Sequence, residues 1–336
     1  MGVLKKQIEE IMTGSTSPMG NKEVLENLYD NCEVIKVYDS NKSNQIHLAN
    51  LYYLHKNPQS LGTIFGIHGH GGSPYDISLT TVAKQAPDFN FNFIMIESLA
   101  MSITYDNPIK GDFYKMNLSN HKKAIANALI TAYKKDKSIY SGYNISVAHS
   151  MGGRAITDLI LDSLFISEMF SEYTFVNPYF LSLQKLLEMI EKYKQKDPSG
   201  KKLKEFLERQ KVKKRNINGR NFEYSICAAD FNITLPDFLS VFCKDINGLM
   251  KSVSDKMQKC SNRKTVNFML GTADEEADWK QSELLFNELH FENCIKYLYK
   301  ITGGDHHLEN SIDNYVPEVK DFLERARRNA FLYKHK

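Results

Sequence analysis

Residues 146–153 read Ser-Val-Ala-His-Ser-Met-Gly-Gly, and they constrain this chain more than any other stretch. The apolar run Tyr143-Asn144-Ile145-Ser146-Val147 leads in, and a stretch of helical spacing, Arg154 to Leu164, leads out. A serine on a sharp strand-to-helix turn has a strained backbone and crowded neighbours. It needs small residues two positions to either side. Ala148 and Gly152 stand at those offsets from Ser150, and Gly153 lets the outgoing helix approach the strand. A string this short also arises by chance around an incidental serine. Its weight comes from the strand before it, the helix after it, and two later segments.

The periodicity around this turn alternates strand with helix. Glu33–Tyr38 and Ile46–Leu54 read as antiparallel strands, and Leu61–Ile67 as a continuous apolar strand ending in His68-Gly69-His70-Gly71-Gly72-Ser73. A helix is predicted over Ile77–Ala86, a buried strand over Phe91–Ile96, and a helix over His121–Lys135. Tyr173–Val176 is the next strand, closed by Asn177-Pro178. The alternation then stops until Thr265–Leu270, which runs into Gly271-Thr272-Ala273-Asp274. A helix over Trp279–Leu289, a strand over Ile295–Ile301, Gly303-Gly304-Asp305-His306-His307 and a closing helix over Val316–Tyr333 complete the chain.

This pattern implies an α/β fold with a mostly parallel central sheet and helices on both faces. An interruption of about 85 residues is too long for a loop, so an inserted helical cap is expected over 180–264. Helices are predicted within it over Leu183–Tyr193, Lys201–Lys213 and parts of Pro236–Lys259, with a loop at Asn216–Asn221. The core is then 31–179 with 265–336, and 1–30 is a helical extension.

The Ala-His-Ser-Met-Gly-Gly turn resembles the nucleophile elbow of the α/β-hydrolase family, with Ala in place of the usual first Gly. The resemblance covers roughly Gln45 to Arg328 and leaves the cap aside. It implies a serine nucleophile followed in chain order by an acid and a histidine. A serine hydroxyl is a weak nucleophile that needs a base, and the base needs an orienting acid. Ser150, Asp274 and His306 take those roles by order and placement, each just after a predicted parallel strand. Asp278 and then Glu275 are the reserve acids, and His307 is the alternative base. Some relatives carry the acid where Asn177 stands here, and an asparagine cannot hold that charge. His149 adjoins the nucleophile, with its side chain expected to point away from the triad in a structural role. The His-Gly segment resembles the family's oxyanion loop, which implies an oxyanion hole built from the main-chain N–H groups of His70 and Met151.

The implied activity is hydrolysis of a carboxylic ester through an acyl-enzyme. The elbow form is common among lysophospholipase-like and monoacylglycerol-lipase-like members, which makes a lipid or lysophospholipid ester the expected substrate. A thioesterase, acyltransferase or amidase would use the same triad. A hydrolase fold turned binding or receptor module is the reading from another class, and the intact Ser, Asp and His argue against it.

Composition adds boundaries. No cofactor or metal is expected: G-x-G-x-x-G and G-K-[ST] are absent, and His47, His55, His121, His290 and His335 lack metal-ligand spacing. Five scattered cysteines without a C-x-x-C pair point to reduced thiols. No apolar run approaches the roughly 20 residues that span a bilayer. Met1–Ile11 lacks the pattern of a signal peptide, and Lys6 stands where N-myristoylation prefers Ser or Thr. A cytoplasmic protein is the expectation. Net charge is +3, yet residues 191–220 hold twelve Lys/Arg against four Asp/Glu. That segment reads as a solvated face or as a surface for an anionic membrane, while no nucleic-acid partner is expected.

Overall fold

The computed structural model describes residues 28–30, 32–39, 46–69, 74–100, 118–137, 139, 142–180, 212–217, 220–225, 246–274, 276–292 and 294–334. Its strands are β1 (Glu33–Tyr38), β2 (His47–His55), β3 (Gly62–Ile67), β4 (Phe91–Ser98), β5 (Tyr143–His149), β6 (Glu172–Val176), β7 (Val212–Ile217), β8 (Arg220–Ser225), β9 (Thr265–Gly271) and β10 (Ile295–Ile301). Eight of them form one sheet in the order β1-β2-β4-β3-β5-β6-β9-β10. The two edge pairs β1/β2 and β2/β4 are antiparallel, and every pair from β4 to β10 is parallel. β3 and β5 are buried along their whole length. Central parallel strands are covered on both faces, which is why neither alternates between buried and exposed residues, and even Asn144 and Ser146 are buried.

Helices close both faces. On one lie α1 (Ile77–Gln85) and α7 (Ile312–Lys334), which share a core of Leu79, Val82, Val319, Phe322 and Leu323 with the sheet. On the other lie α2 (Leu118–Lys135), α3 (Met151–Asp162), the short α4 (Leu164–Met169), α5 (Ile246–Gln258) and α6 (Trp279–Glu288). There Ile125, Leu129, Ile156, Ile160, Val253 and Leu285 belong to one buried cluster.

The expected helical insertion needs two corrections within the described residues. Helix was predicted through Lys213, but Val212–Ile217 is a strand paired antiparallel with Arg220–Ser225. The pairing of Ile217 with Arg220 leaves only Asn218-Gly219 between the strands. Asn-Gly is the strongest short-range signal for a two-residue hairpin, and here it outranks the Lys/Arg-rich helical composition. Second, α5 belongs to the layer over the sheet. Its Met250, Val253 and Met257 recur at helical spacing, are 2% exposed, and join the same cluster as α3. The predicted helix over Leu183–Tyr193 lies outside the described residues, as do 1–27 of the predicted N-terminal extension.

A buried ionic network ties α7 to the sheet. The Glu172 carboxylate is fully buried and accepts from Tyr143 Oη (2.8 Å), Asn267 Nδ2 (2.6 Å) and Arg325 Nη2 (2.8 Å). Arg325 also donates to Asn267 Oδ1 (2.7 Å), and its guanidinium lies 3.9 Å from the centre of the Tyr297 ring. No helix among the described residues is long and apolar enough to cross a membrane.

Candidate active site

Ser150 sits between β5 and α3 with φ 52° and ψ −123°. A non-glycine residue there costs on the order of 1–3 kcal/mol, and the surroundings must hold it in place. Three main-chain bonds do so: Ser150 N–H donates to Val176 O, and Ser150 O accepts from Gly153 and Tyr179 N–H, all at 3.0 Å. A Cβ at Gly152 would stand 2.6 Å from Ile67 O and 2.7 Å from His68 O. The helix can therefore start against the end of β3 only if this residue is glycine. Gly69 meets the elbow from above in the same way. A Cβ there would lie 2.6 Å from Ser150 Cβ and 3.1 Å from Met151 N.

The structure brings Ser150, His306 and Asp274 together. His306 Nε2 lies 2.8 Å from Ser150 Oγ, and His306 Nδ1 lies 2.8 Å from Asp274 Oδ2. For the hydroxyl to donate to Nε2, the imidazole proton must sit on Nδ1 and point at the carboxylate. The Asp274 side chain is fully buried, and its Oδ1 accepts from the main-chain N–H groups of Glu276 and Ala277, both at 2.9 Å. Burial alone would raise its pKa. The bonds from His306 and from those two amides outweigh burial and hold the carboxyl below its usual range. Of the reserve acids, Asp278 accepts from Gln281 N–H and caps α6. Glu275 lies outside the described residues.

His149 was expected to turn away from the triad, and instead it touches the base. Its ring centre is 5.0 Å from that of His306, and its Nε2 lies 2.8 Å from the His306 carbonyl oxygen. Its Nδ1 lies 2.6 Å from Asp76 Oδ2. Asp76 is also the N-cap of α1, where Oδ1 accepts from Ser78 N–H (3.0 Å) and Oγ–H (2.7 Å). Burial would push the Asp76 carboxyl up, but His149 and these donors drive it far below the usual range. Burial likewise opposes charge on His149, and the carboxylate reverses that and raises its pKa. His307, the alternative base, meets His306 edge-on with ring centres 5.3 Å apart and lies tilted against His149 at 5.6 Å. Burial holds it below the usual histidine range.

Asn177, at φ 40°, connects the acid and base loops. Its Oδ1 accepts from Gly271 N–H (2.7 Å), and its Nδ2 donates to the carbonyls of Asp305 and His306 (both 2.9 Å). Neither Asp76 nor Asn177 was singled out as a site residue from sequence. The available signals were a cap residue before Ile77 and an Asn-Pro stop after β6.

Of the two oxyanion candidates, Met151 is the first residue of α3, where main-chain N–H groups have no partner within the helix. His70 lies outside the described residues. His68, just after β3, is fully buried. His68 Nε2 accepts from Ser98 N–H (3.0 Å) and Nδ1 donates to Gly69 O (2.8 Å), a neutral tautomer that burial favours.

Asp76, His149 and His307 place one ligand atom each within 4.8 Å of one another, the geometry nearest to a metal site among the described residues. The 2.6 Å separation of His149 Nδ1 and Asp76 Oδ2 is shorter than the ~3.3 Å edge that metal–ligand distances near 2.0–2.1 Å give a tetrahedral site. In this arrangement the contact between them is a hydrogen bond. A cavity of about 140 Å³ lined by Tyr53, Thr63, Asn92 and Lys135 opens at the N-terminal ends of β3 and β4. That is the opposite end of the parallel strands from Ser150.

No protein-family model matches the sequence, and no curated protein matches it. Solved structures do match. The peroxisomal α/β-hydrolase of Saccharomyces cerevisiae is similar with a TM-score of 0.55 at 11% identity, covering 88% of each chain. A soluble variant of monoglyceride lipase from Saccharomyces cerevisiae gives 0.51 at 15% identity, over 87% of this chain and 96% of that one. Est1E from Butyrivibrio proteoclasticus gives 0.51 at 14% identity, over 87% and 98%. With its sheet order, its strained serine between β5 and α3, and these likenesses, the chain has the α/β-hydrolase fold.

Proposed function

We propose that this protein is a serine hydrolase that cleaves carboxylic esters through an acyl-enzyme. The observation that carries this reading is the unbroken relay Asp274–His306–Ser150, with both links at 2.8 Å and the serine on a strained turn. Ser150 Oγ attacks the acyl carbon while its proton passes to His306 Nε2. The carbonyl oxygen becomes an oxyanion, received by the main-chain N–H groups of Met151 and His70. Asp274 holds the resulting imidazolium and keeps its ring in register. When the C–O bond breaks, His306 returns the proton to the leaving alcohol and an acyl-Ser150 remains. Water then attacks the acyl carbon while losing a proton to His306, and when the acyl–Oγ bond breaks His306 returns that proton to Ser150 Oγ and the acid is released. One oxyanion donor is typically worth on the order of 10²–10³ in rate.

The substrate class we favour is a lipid or lysophospholipid ester. Two observations support it: the likeness to a monoglyceride lipase, and a basic segment, 191–220, suited to an anionic lipid surface. The test is hydrolysis of p-nitrophenyl esters from acetate to palmitate by the native protein and by Ser150→Ala. The variant should lose roughly 10⁴-fold or more in kcat, together with labelling by a fluorophosphonate probe. Thioesters of matched acyl length, run alongside, separate an esterase from a thioesterase. Folded protein that neither hydrolyses an ester nor takes up the probe would sink the reading.

A further inference from the structure

The relay uses one of three histidines clustered at this site. His149 is 2% exposed, and each of its ring nitrogens faces an acceptor: the Asp76 carboxylate at 2.6 Å and the His306 carbonyl at 2.8 Å. The carbonyl carries no hydrogen, and the Asp76 carboxyl, which accepts from Ser78 N–H and Oγ–H, is held far below its usual range, so both nitrogens donate, and a doubly donating imidazole is an imidazolium. The carboxylate that balances it is held by Ser78 and by the N-terminus of α1. The ionisable groups around this cation are Asp76 from the loop before α1, Asp274 after β9, and His306, His307 and Glu309 after β10, with His68 after β3.

We propose that Asp76 and His149 form a second buried histidine–carboxylate couple that positions the base, by holding the main chain of His306 rather than its ring. The inference rests on the proposed role of His306, and the couple touches no reacting atom. The couple and the residue it holds come from three segments that build the site. Asp76 ends the oxyanion loop, His149 precedes the nucleophile, and His306 stands on the base loop. One side chain thus sets the distance between elbow and base, which the 2.8 Å contact of Nε2 with Ser150 Oγ requires. Asn177 shares the His306 carbonyl with His149, so that oxygen has two donors at 2.8 and 2.9 Å. A base loop anchored from two sides can carry a proton back and forth without leaving its place.

The test compares His149→Ala with His149→Gln in the full-length protein, using ring-¹⁵N-labelled histidine. Glutamine can place an amide N–H near the site of Nε2 and keep the bond to the His306 carbonyl; alanine cannot. In the native protein both His149 nitrogens should stay protonated above the ordinary histidine pKa. The His306 Nδ1–H resonance should be sharp in the native protein, recover in the Gln variant, and be lost to exchange in the Ala variant. Ester hydrolysis by Ala should fall about tenfold to a hundredfold in kcat with KM little changed, the usual result of misplacing a reacting group by about 1 Å. Gln should recover most of that loss. A His149 that loses a proton near the ordinary histidine pKa would overturn the proposal. So would Ala and Gln variants that are alike in the His306 resonance. Should the native protein hydrolyse no ester, the ¹⁵N spectra still decide on the couple, while the probe and substrate panel decide on the function.

Discussion

At the residue scale the site is a balance of buried charges. Asp76 and Asp274 are anionic and His149 is cationic, while the Glu309 carboxyl, desolvated and facing Asp305 and Asp76, is pushed up to about 8. The Asp76–His149 couple has a pH signature whose sign follows from linkage. A depressed carboxyl adds stability above its unfolded pKa of 3.8, and that stability is lost as pH falls through the folded value. A raised histidine adds stability in full below its unfolded 6.5, lost as pH rises through the folded value. The couple therefore contributes most between these limits. Asp76→Asn should destabilise the protein by about 3 kcal/mol in that window, since a buried cation loses its partner or its proton. The gap between native and variant should narrow as pH rises above 6.5 through the folded value of His149, and again as it falls below 3.8 through that of Asp76. Denaturant melts across these ranges check it, and a gap independent of pH would mean that His149 is neutral throughout.

At the element scale the network around Glu172 decides whether α7 stays on the sheet. The carboxylate has three donors and no exposure, so removing Arg325 leaves a buried charge with only neutral partners. Arg325→Gln should cost about 3–5 kcal/mol and lower the melting temperature. Adding Glu172→Gln should restore part of the loss, and a double variant as unstable as the single one would refute the account. The same scale shows what the sequence revealed. Strand runs such as Ile295–Ile301 and the Gly-Thr-Ala-Asp and Gly-Gly-Asp-His turns were legible, because period and turn chemistry are local properties. Asp274 and His306 could be placed by strand order alone. His149 reaching His306 and Asn177 bridging two loops were not legible, since such contacts span more than a hundred residues. Arg325 meeting Glu172 joins segments equally remote in sequence. Over Val212–Ser225 the sequence reads as helix through Lys213 and as a loop over Asn216–Asn221, while the residues on either side of Asn218-Gly219 pair as strands.

For the whole molecule, the distribution of charge matters more than its total. A net +3 would barely orient a protein of this size, but residues 191–220 carry +8 and the remainder −5. The hairpin strands β7 and β8 bring Lys213, Lys214, Arg215 and Arg220 into one short ribbon. Near an anionic membrane each Lys or Arg gains about 1 kcal/mol, and the attraction fades within the ~8 Å Debye length of physiological salt. On the proposed function, a substrate held in an anionic bilayer would be approached by electrostatic attraction to this segment. The protein should therefore float with vesicles containing phosphatidylserine and not with neutral phosphatidylcholine vesicles, and raised salt should release it. Reversing Lys201, Lys202, Lys213 and Lys214 to glutamate should weaken vesicle binding by at least about 10²-fold and leave hydrolysis of soluble p-nitrophenyl acetate unchanged. Equal flotation with neutral and anionic vesicles would remove the electrostatic basis of the lipid reading without touching the triad. Loss of acetate hydrolysis in the reversed variant would instead place this segment within the working of the site.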